Sequence, residues 1–589
     1  VKFMTQRLLP MAFPLTVLLC FAALHQVFVW RSHPDAVYMD TLRLVAQLKD
    51  WHEGTMSLFD FWSQGSSHRG LINQTFLFLN VELFSLDVML ANRLTGVALF
   101  AVASIIVFAF WSATSKPATT PLRFAVRCLV SVLVAALCFS WAGVELLTLD
   151  LGLPLWVKNL FFVAYFLWHA TFLAEQGKDG WNAATGLSLL GMFIILLVGM
   201  GWSYAFVGAV LGVHALLFVS STVRRGGKLP GGKLIPATAL LVALAIYVAA
   251  GRTADDGAAS NLLGSLPRTL DLSVYALGSP WIGVEATNAR QLPLSTAYVA
   301  GLLGLLAAAW VVWRKFRRGL LTGSLFPLYL IGYGLLTALS VAAARGSDGP
   351  AGVIASRYYM DIVLFSVGTL WAWGEEIVNA DTPPKINLTA FACFVGALGL
   401  GQAVAYRTEW NITPYRAAIF PMMNEAIAKG VPDEEAADLL QAPLAHARAG
   451  AQVLREQHLA NFVGVADEAC SSKAIGYDKG WYEKEPGGVW MTGEARISVP
   501  ACSCSLTSQV YLPPDFKPRV ISVQDATSNA RIKDVTLTPG AMTEIQLPSG
   551  DTRRSFIVRS SFVTIPGENG SGDMRQLAAF WGGAAYVCH

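Results

Sequence analysis

The sequence predicts a polytopic α-helical membrane protein with about 11 transmembrane helices, followed by an extracytoplasmic β-sandwich at the C-terminus. Three observations carry this. Of 589 residues, 54% are hydrophobic and only 14% charged, where a soluble domain carries about 25% charged residues. The deficit is uneven: apolar blocks follow one another from Leu8 to Tyr406, and beyond Arg407 the composition turns ordinary. From residue 470 onward, short alternating runs broken by Gly, Pro, Asn and Asp replace the apolar blocks.

A helix needs roughly 20 apolar residues to cross the hydrocarbon core. That places spans near 8–30, 94–111, 122–141, 159–174, 184–200, 203–222, 235–251, 295–313, 320–343, 360–374 and 386–406, with 159–174 and 360–374 short. The first block is expected to be a retained helix rather than a signal peptide: it is long, lacks a small-x-small site and runs into Trp30-Arg31. Trp residues at several block ends, Trp111, Trp141 and Trp202 among them, suit the headgroup region.

Orientation follows the basic residues. Lys2 and Arg7, Lys116 and Arg123, Lys178, Arg224 to Lys233, and the cluster Arg314, Lys315, Arg317 and Arg318 all fall on one side if the count holds. That side is cytoplasmic by the positive-inside rule. The loop 375–385 is the exception, with Glu375, Glu376 and Asp381 against Lys385. An odd number of spans then puts the N-terminus inside and residues 407–589 outside. Cys470, Cys502, Cys504 and Cys588 of the tail are an even set in a compartment that permits disulfides, with three pairings open. A net charge of +3 and the absence of an aromatic-interleaved basic stripe argue against nucleic acid.

The chain divides into a transmembrane domain (1–406), a helical linker region (407–466) and a β-sandwich (467–589). The long first outer loop, 31–93, carries Asp35, Asp40, His52, Asp60 and His68. Val37, Leu42, Leu44, Val45 and Leu48 suggest an interfacial helix. Asp40 is the candidate general base, because an acid held at membrane level is partly desolvated. A helix cap or an ion pair with Arg43 or Arg69 is the structural alternative. His68 and Arg69, between small residues, suit an anion such as phosphate, as does Arg357 with Tyr358 at the start of the tenth span. For an Arg at headgroup level, simple snorkelling competes with that reading. The loop 252–294 offers no motif. His169, His214, Glu145, Asp150 and Lys158 are ionisable groups in or beside spans, with structural satisfaction the expectation for most. In the tail, Trp481, Tyr482 and Trp490 are candidate sugar contacts or core aromatics of a jelly-roll-like domain.

With these residues in view the chain resembles the class C glycosyltransferases. The likeness covers the layout and a few short motifs: Tyr38-Met39-Asp40, Ser67-His68-Arg69, Ser356-Arg357-Tyr358, Gly480-Trp481-Tyr482 with Trp490, and Gly572-Asp573-x-Arg575. Ser67 stands where many members carry an acid. The resemblance implies an enzyme of the bacterial inner membrane, its C-terminal domain periplasmic or extracellular. It would move a sugar from a polyprenyl-phosphate donor to a hydroxyl of a cell-envelope glycan or glycolipid. Asp40 would be the base; Arg357, His68, Arg69 and Tyr358 would bind the donor phosphate; Tyr38 would contact the acceptor. A divalent cation, Mg or Mn, is a candidate cofactor, with Asp40 and Asp35 or Glu82 as ligands. A lipid-linked glycan ligase or polymerase, a lipid or solute transporter, and a scaffold are the competing readings.

Overall fold

The computed structural model describes residues 2–63, 68–114, 120–175, 180–225, 231–250, 262–463, 475–485, 487–500, 505–548, 550, 553–569 and 573–587. The chain forms two compact units, Val1–Ala451 and Gln452–His589. The first is helical. Among the described residues, ten helices are long and apolar enough to cross a membrane: Met11–Ser32, Val88–Ala113, Pro121–Gly143, Gly152–Ala174, Trp181–Val198, Met200–Ser220, Gly232–Ala249, Ser295–Arg318, Phe326–Val353 and Lys385–Ala428.

The ten match the expected spans except 360–374. That block belongs to helix Tyr359–Asn379, which is longer than expected and buried at every residue but Glu376 and Asn379. It is the central helix of the unit, packed against Pro121–Cys138 and Phe326–Arg345. Asp361, Glu375 and Glu376 make it more acidic than a lipid-facing span, and protein surrounds it instead. A further helix, Leu262–Ile282, lies within the expected loop 252–294. Arg268, Asp271 and two prolines disguise it. Glycines let it cross Ser295–Arg318 closely: a Cβ at Gly278 would stand 1.8 Å from the Ala297 carbonyl, and one at Gly301 1.9 Å from that of Val274.

The unit has two distinct ends. At one, Lys315 meets Glu375 at 3.0 Å, Arg318 meets Glu376 at 3.3 Å and Arg123 meets Asp381 at 3.5 Å. The acids of loop 375–385 are thus partners of the basic cluster, which explains their exception to the charge pattern. At the other end lie Glu145 and Arg357. The 21-residue helix between them measures about 31 Å, close to the thickness of a hydrocarbon core.

The last helix, Lys385–Ala428, does not stop at 406. Its 44 residues correspond to about 66 Å, more than twice the hydrocarbon core. Pro414 and Pro421 lie inside it without ending it. The extension and the helices Glu434–Leu439 and Leu444–Glu456 cover the first loop. The Met39 N–H donates to the Leu440 carbonyl at 2.9 Å, Asn424 donates to Asp35 at 3.1 Å, and Tyr38 meets Phe420 at 6.2 Å. Residues 407–451 therefore group with the helical unit.

The second unit is a β-domain with, among the described residues, ten strands: β1 (Gly476–Tyr477), β2 (Trp481–Glu485), β3 (Gly488–Met491), β4 (Glu494–Val499), β5 (Ser505–Tyr511), β6 (Arg519–Asp525), β7 (Arg531–Leu537), β8 (Met542–Leu547), β9 (Arg554–Ser560) and β10 (Ala579–Val587). They form two five-stranded sheets, ordered β1-β4-β9-β6-β7 and β2-β3-β10-β5-β8. Alternate residues point inward, and Ile521, Val523, Phe556 and Val558 of one sheet share a core with Leu506, Val510, Ile545 and Trp581 of the other. Arg519 is buried in this pattern, its guanidinium donating to the carbonyls of Lys517, Phe562, Leu577 and Ala578. Cys470, Cys502, Cys504 and Cys588 lie outside the described residues.

Candidate functional site

The chain leaves its first long helix at Ser32 and runs extended beneath the tail helices to Tyr38. Tyr38 is buried, its hydroxyl 3.2 Å from the Thr148 hydroxyl, and burial raises its pKa. Met39 follows with φ 55 and ψ −138, a strained setting for a side chain with a Cβ. Helix Asp40–His52 begins there and buries Leu42, Leu44, Val45 and Leu48. The periodicity of these residues is as expected, but protein meets part of this face: a Cβ at Gly450 would stand 2.5 Å from the Leu42 carbonyl.

Asp40 is the first residue of that helix. Its side chain is 69% exposed and faces Arg43 at 3.8 Å. The desolvation expected of it is therefore not supplied by the protein itself. The buried acid of this region is Asp150, which accepts a hydrogen bond from the Thr41 hydroxyl at 2.6 Å. Burial pushes the Asp150 carboxyl up to about 6, against hydrogen bonds that favour its charged form.

The segment 140–151 ties Asp40 to Arg357. Thr148 and Asp150 hold Tyr38 and Thr41. Glu145, five residues before Asp150, accepts from the Ser356 hydroxyl at 3.0 Å, the Arg357 backbone N–H at 3.1 Å and the Arg357 guanidinium at 3.4 Å. The Arg357 N–H, read from sequence as free for phosphate, is thus already taken by a carboxylate. Arg357 is half-buried. Burial lowers its pKa, but the charges of Glu145, Tyr358 and Asp40 outweigh that and raise it. Asp40 and Arg357 are therefore brought within electrostatic reach at one end of the helical unit. Arg357 Nε is buried with no hydrogen-bond partner. Arg345, which sequence reasoning passed over, donates to the Tyr358 hydroxyl at 3.0 Å, so two guanidinium groups flank that ring. Glu145 and Asp150 were visible only as acids at span ends; their spacing within an apolar run was the available signal.

His68 and Arg69 dock elsewhere. Helix Gly180–Phe193 passes into a π turn at Ile194–Val198 and a 3-10 turn at Met200–Trp202, which frees carbonyls from the helical ladder. The Trp62 indole donates to the Leu196 carbonyl at 2.6 Å, and the Leu71 N–H to that of Leu197 at 2.8 Å. The first loop thus closes the break. There the His68 ring stacks on Trp202 at 5.7 Å, and the buried Arg69 lies 5.3 Å from the Tyr247 ring. Ser66 and Ser67 lie outside the described residues. Trp202 also carries Lys158 at 3.8 Å. Lys158 pairs with Asp361 at 2.8 Å, both fully buried, and Tyr333 donates to the same carboxylate. Asp361 is one turn beyond Arg357, so this pair fixes the helix that presents it.

Asp35 engages Asn424 and Glu82 faces His52 at 3.6 Å, so neither converges with Asp40. Among the described residues no three His, Cys, Asp or Glu side chains cluster as a metal site. The expected cation ligands do not fit one.

In the β-domain the three aromatics are partly buried against the core. Trp481 donates to the Arg496 carbonyl at 2.7 Å and lies edge-on to Trp581. Trp490 donates to Glu485 at 3.2 Å, and Tyr482 lies beside Arg575, which pairs with Glu485. Gly572 lies outside the described residues. Comparison with known proteins finds no match: no protein-family model, curated protein or solved structure matches this chain.

Proposed function

We propose that this chain is a polytopic membrane glycosyltransferase, taking a sugar from a polyprenyl-phosphate donor to an acceptor hydroxyl on the outer face of a bacterial plasma membrane. The observation that carries the reading is that one short segment holds both residues: Glu145 accepts from Arg357, and Asp150, five residues on, accepts from Thr41 beside Asp40. The opposite end holds Arg314, Lys315, Arg317 and Arg318, which favours an outward site by the positive-inside rule.

In this reading Asp40 takes the proton of the acceptor hydroxyl as its oxygen attacks the anomeric carbon. The bond from that carbon to the phosphate oxygen breaks, and the lipid phosphate leaves. Arg357, with Arg345 behind Tyr358, meets the charge that grows on the leaving group. Exposed Asp40 gains its desolvation when substrates fill the space around it. We assign His68 and Arg69 to holding the first loop against Trp202 and Tyr247, not to the phosphate. The β-domain is a candidate carbohydrate-contacting module.

Asp40→Asn and Arg357→Ala, assayed in folded protein with a radiolabelled polyprenyl-phosphate sugar and an envelope extract as acceptor, test the reading. General-base removal is expected to cost about 10²–10⁴-fold. Transfer at the wild-type rate in both variants would sink it. A ligase of preassembled glycans differs only in donor and acceptor size. A transporter reading draws on the buried Lys158–Asp361 pair and the helix break at 194–202. Both are satisfied by groups within the chain, and substrate-independent flux in liposomes would be its signature.

A further inference from the structure

We infer that the acceptor of this reaction is a membrane lipid, whose aliphatic chain lies between helix Ile72–Phe84, helix Val88–Ala113 and the turn 150–154. The inference rests on the transferase reading and names the substrate class of the same site.

A cavity of about 200 Å³ opens between these elements, walled by Phe76, Leu77, Leu83, Leu90, Leu94 and Leu153. An apolar cavity of about 150 Å³ already admits a benzene-sized ligand. Of its two polar residues, Asn80 is occupied with the backbone of Asp87, at 3.1 Å and 3.0 Å. The other is Asp150, among the described residues the only ionisable one that lines it. Asp150 is held by Thr41, the residue next to Asp40. A chain seated here would therefore deliver its polar end to the carboxylate wall of the site. None of the lining residues comes from 345–361, the segment that carries Arg345 and Arg357. A donor whose phosphate sits on those guanidinium groups would have its chain outside this cavity.

In this reading the mouth of the cavity opens to lipid, because the surface that borders it is apolar. Helix Ile72–Phe84 has 13 residues, about 20 Å, too short to cross a core of about 30 Å. It ends in a reversal at Ser85 and Leu86, both with positive φ, and returns the chain to the long apolar helix. Leu79, Leu83, Phe84, Leu94 and Val97 are exposed along this wedge. They continue the apolar surface of a helix of membrane length.

The test uses the full chain in phospholipid nanodiscs with two photoactivatable probes: a phospholipid with a diazirine in its acyl chain, and a polyprenyl phosphate with one in its prenyl chain. The phospholipid is expected to label residues 76–94 and 150–154. Filling the cavity in Leu94→Trp or Leu153→Trp removes space for two or three methylenes, and saturable labelling should fall about tenfold or more. Labelling of other lipid-facing helices should stay constant. Equal labelling in wild type and both filled variants would overturn the inference. So would polyprenyl phosphate labelling these segments and displacing the phospholipid. Crosslinking needs no turnover, so it separates this inference from the transferase reading: the latter falls if Asp40→Asn transfers normally, whatever the labelling shows.

Discussion

Asp361→Asn is expected to be among the most damaging single changes in the helical unit. The carboxylate has no exposure, receives Lys158 at 2.8 Å and 3.0 Å, and accepts from the Tyr333 hydroxyl. The amide keeps a neutral acceptor but removes the counter-charge, leaving the buried Lys158 ammonium to that oxygen and to the Trp202 and Phe162 faces at 3.8 Å and 5.5 Å. A desolvated cation–π contact supplies about 2 kcal/mol, while an uncompensated buried charge costs about 3–5 kcal/mol. Lys158→Met should cost a similar amount from the other side. The double variant Lys158→Met with Asp361→Leu removes both charges, a change that is often neutral or stabilising by about 1–4 kcal/mol. Against that stands the Tyr333 hydroxyl left without its acceptor, at about 1–3 kcal/mol. The double variant should therefore lie within about 2 kcal/mol of wild type, measured by thermal unfolding in detergent at fixed lipid content. Additive losses in the double variant would refute the argument, because they would mean that the two charges do not compensate each other. Transfer activity in the restored double variant separates a supporting role from a chemical one: the helix start at Tyr359 is kept, and Arg357 with it.

Three further outcomes follow from the same geometry. The folded Asp150 carboxyl titrates at about 6 against 3.8 in the reference state, so its contribution to stability is present below pH 4 and lost as pH rises through 6. That is about 3 kcal/mol by pH 7; the stability of Asp150→Asn relative to wild type should grow by that amount between pH 4 and pH 7, and a flat difference would contradict the burial. Glu145→Gln keeps acceptors for Ser356 and the Arg357 N–H but loses the ion pair; because Arg357 is over a third exposed, stability should change by under about 1 kcal/mol. In the transferase reading kcat falls several-fold, because Arg357 is less well fixed when charge develops on the leaving group, and an unchanged kcat would detach Glu145 from the phosphate site. Gly301→Ala forces apart two helices in backbone contact and should cost about 1–3 kcal/mol or more; adding Gly278→Ala should cost less than the sum, since both act on one crossing.

Sequence periodicity was informative wherever a segment answers to one environment. The apolar helices of membrane length were located, although the ends of several lie six residues or more from those expected and the last runs 22 residues past 406, and the alternating runs after 470 became strands because one face is buried and the other solvated. It failed for segments whose neighbours are other parts of the chain. Helix Leu262–Ile282 hides behind charges and prolines that protein contacts accommodate. Helix Tyr359–Asn379 looks short as a span because its acids are paired with lysines and arginines far away in sequence. Asp40 and Arg357 were marked by position in the sequence, and both are tied, through Thr41 and directly, to the segment 145–150. Glu145 and Asp150 were marked only as ionisable groups beside spans and Thr148 not at all, because their partners lie more than 100 residues away, as Thr41 does from Asp150 and Arg357 from Glu145; Arg345, only 13 residues from Tyr358, carried no motif. His68 and Arg69 illustrate the reverse. Their chemistry suits an anion, but the broken helix at 194–202 and the ring of Trp202 lie where they dock.

The placement of Asp40 depends on a part of the chain that composition alone sets apart from the membrane domain. A single helix runs from Lys385 beside the basic cluster to Ala428 over the first loop, so the position of the loop is referred to the far end of the helical unit by one rigid rod. At its far end, the Leu440 carbonyl holds the N–H of Met39 in a backbone setting that costs about 1–3 kcal/mol and persists only when neighbours impose it. Glu145 does the corresponding work for Arg357, and its charge leaves the pair nearly neutral before any ligand arrives. In the transferase reading, a phosphate entering the site would find one guanidinium already oriented by Glu145 and a second one behind Tyr358. Donors fixed before charge develops on the leaving group would then lower the barrier rather than merely tighten binding.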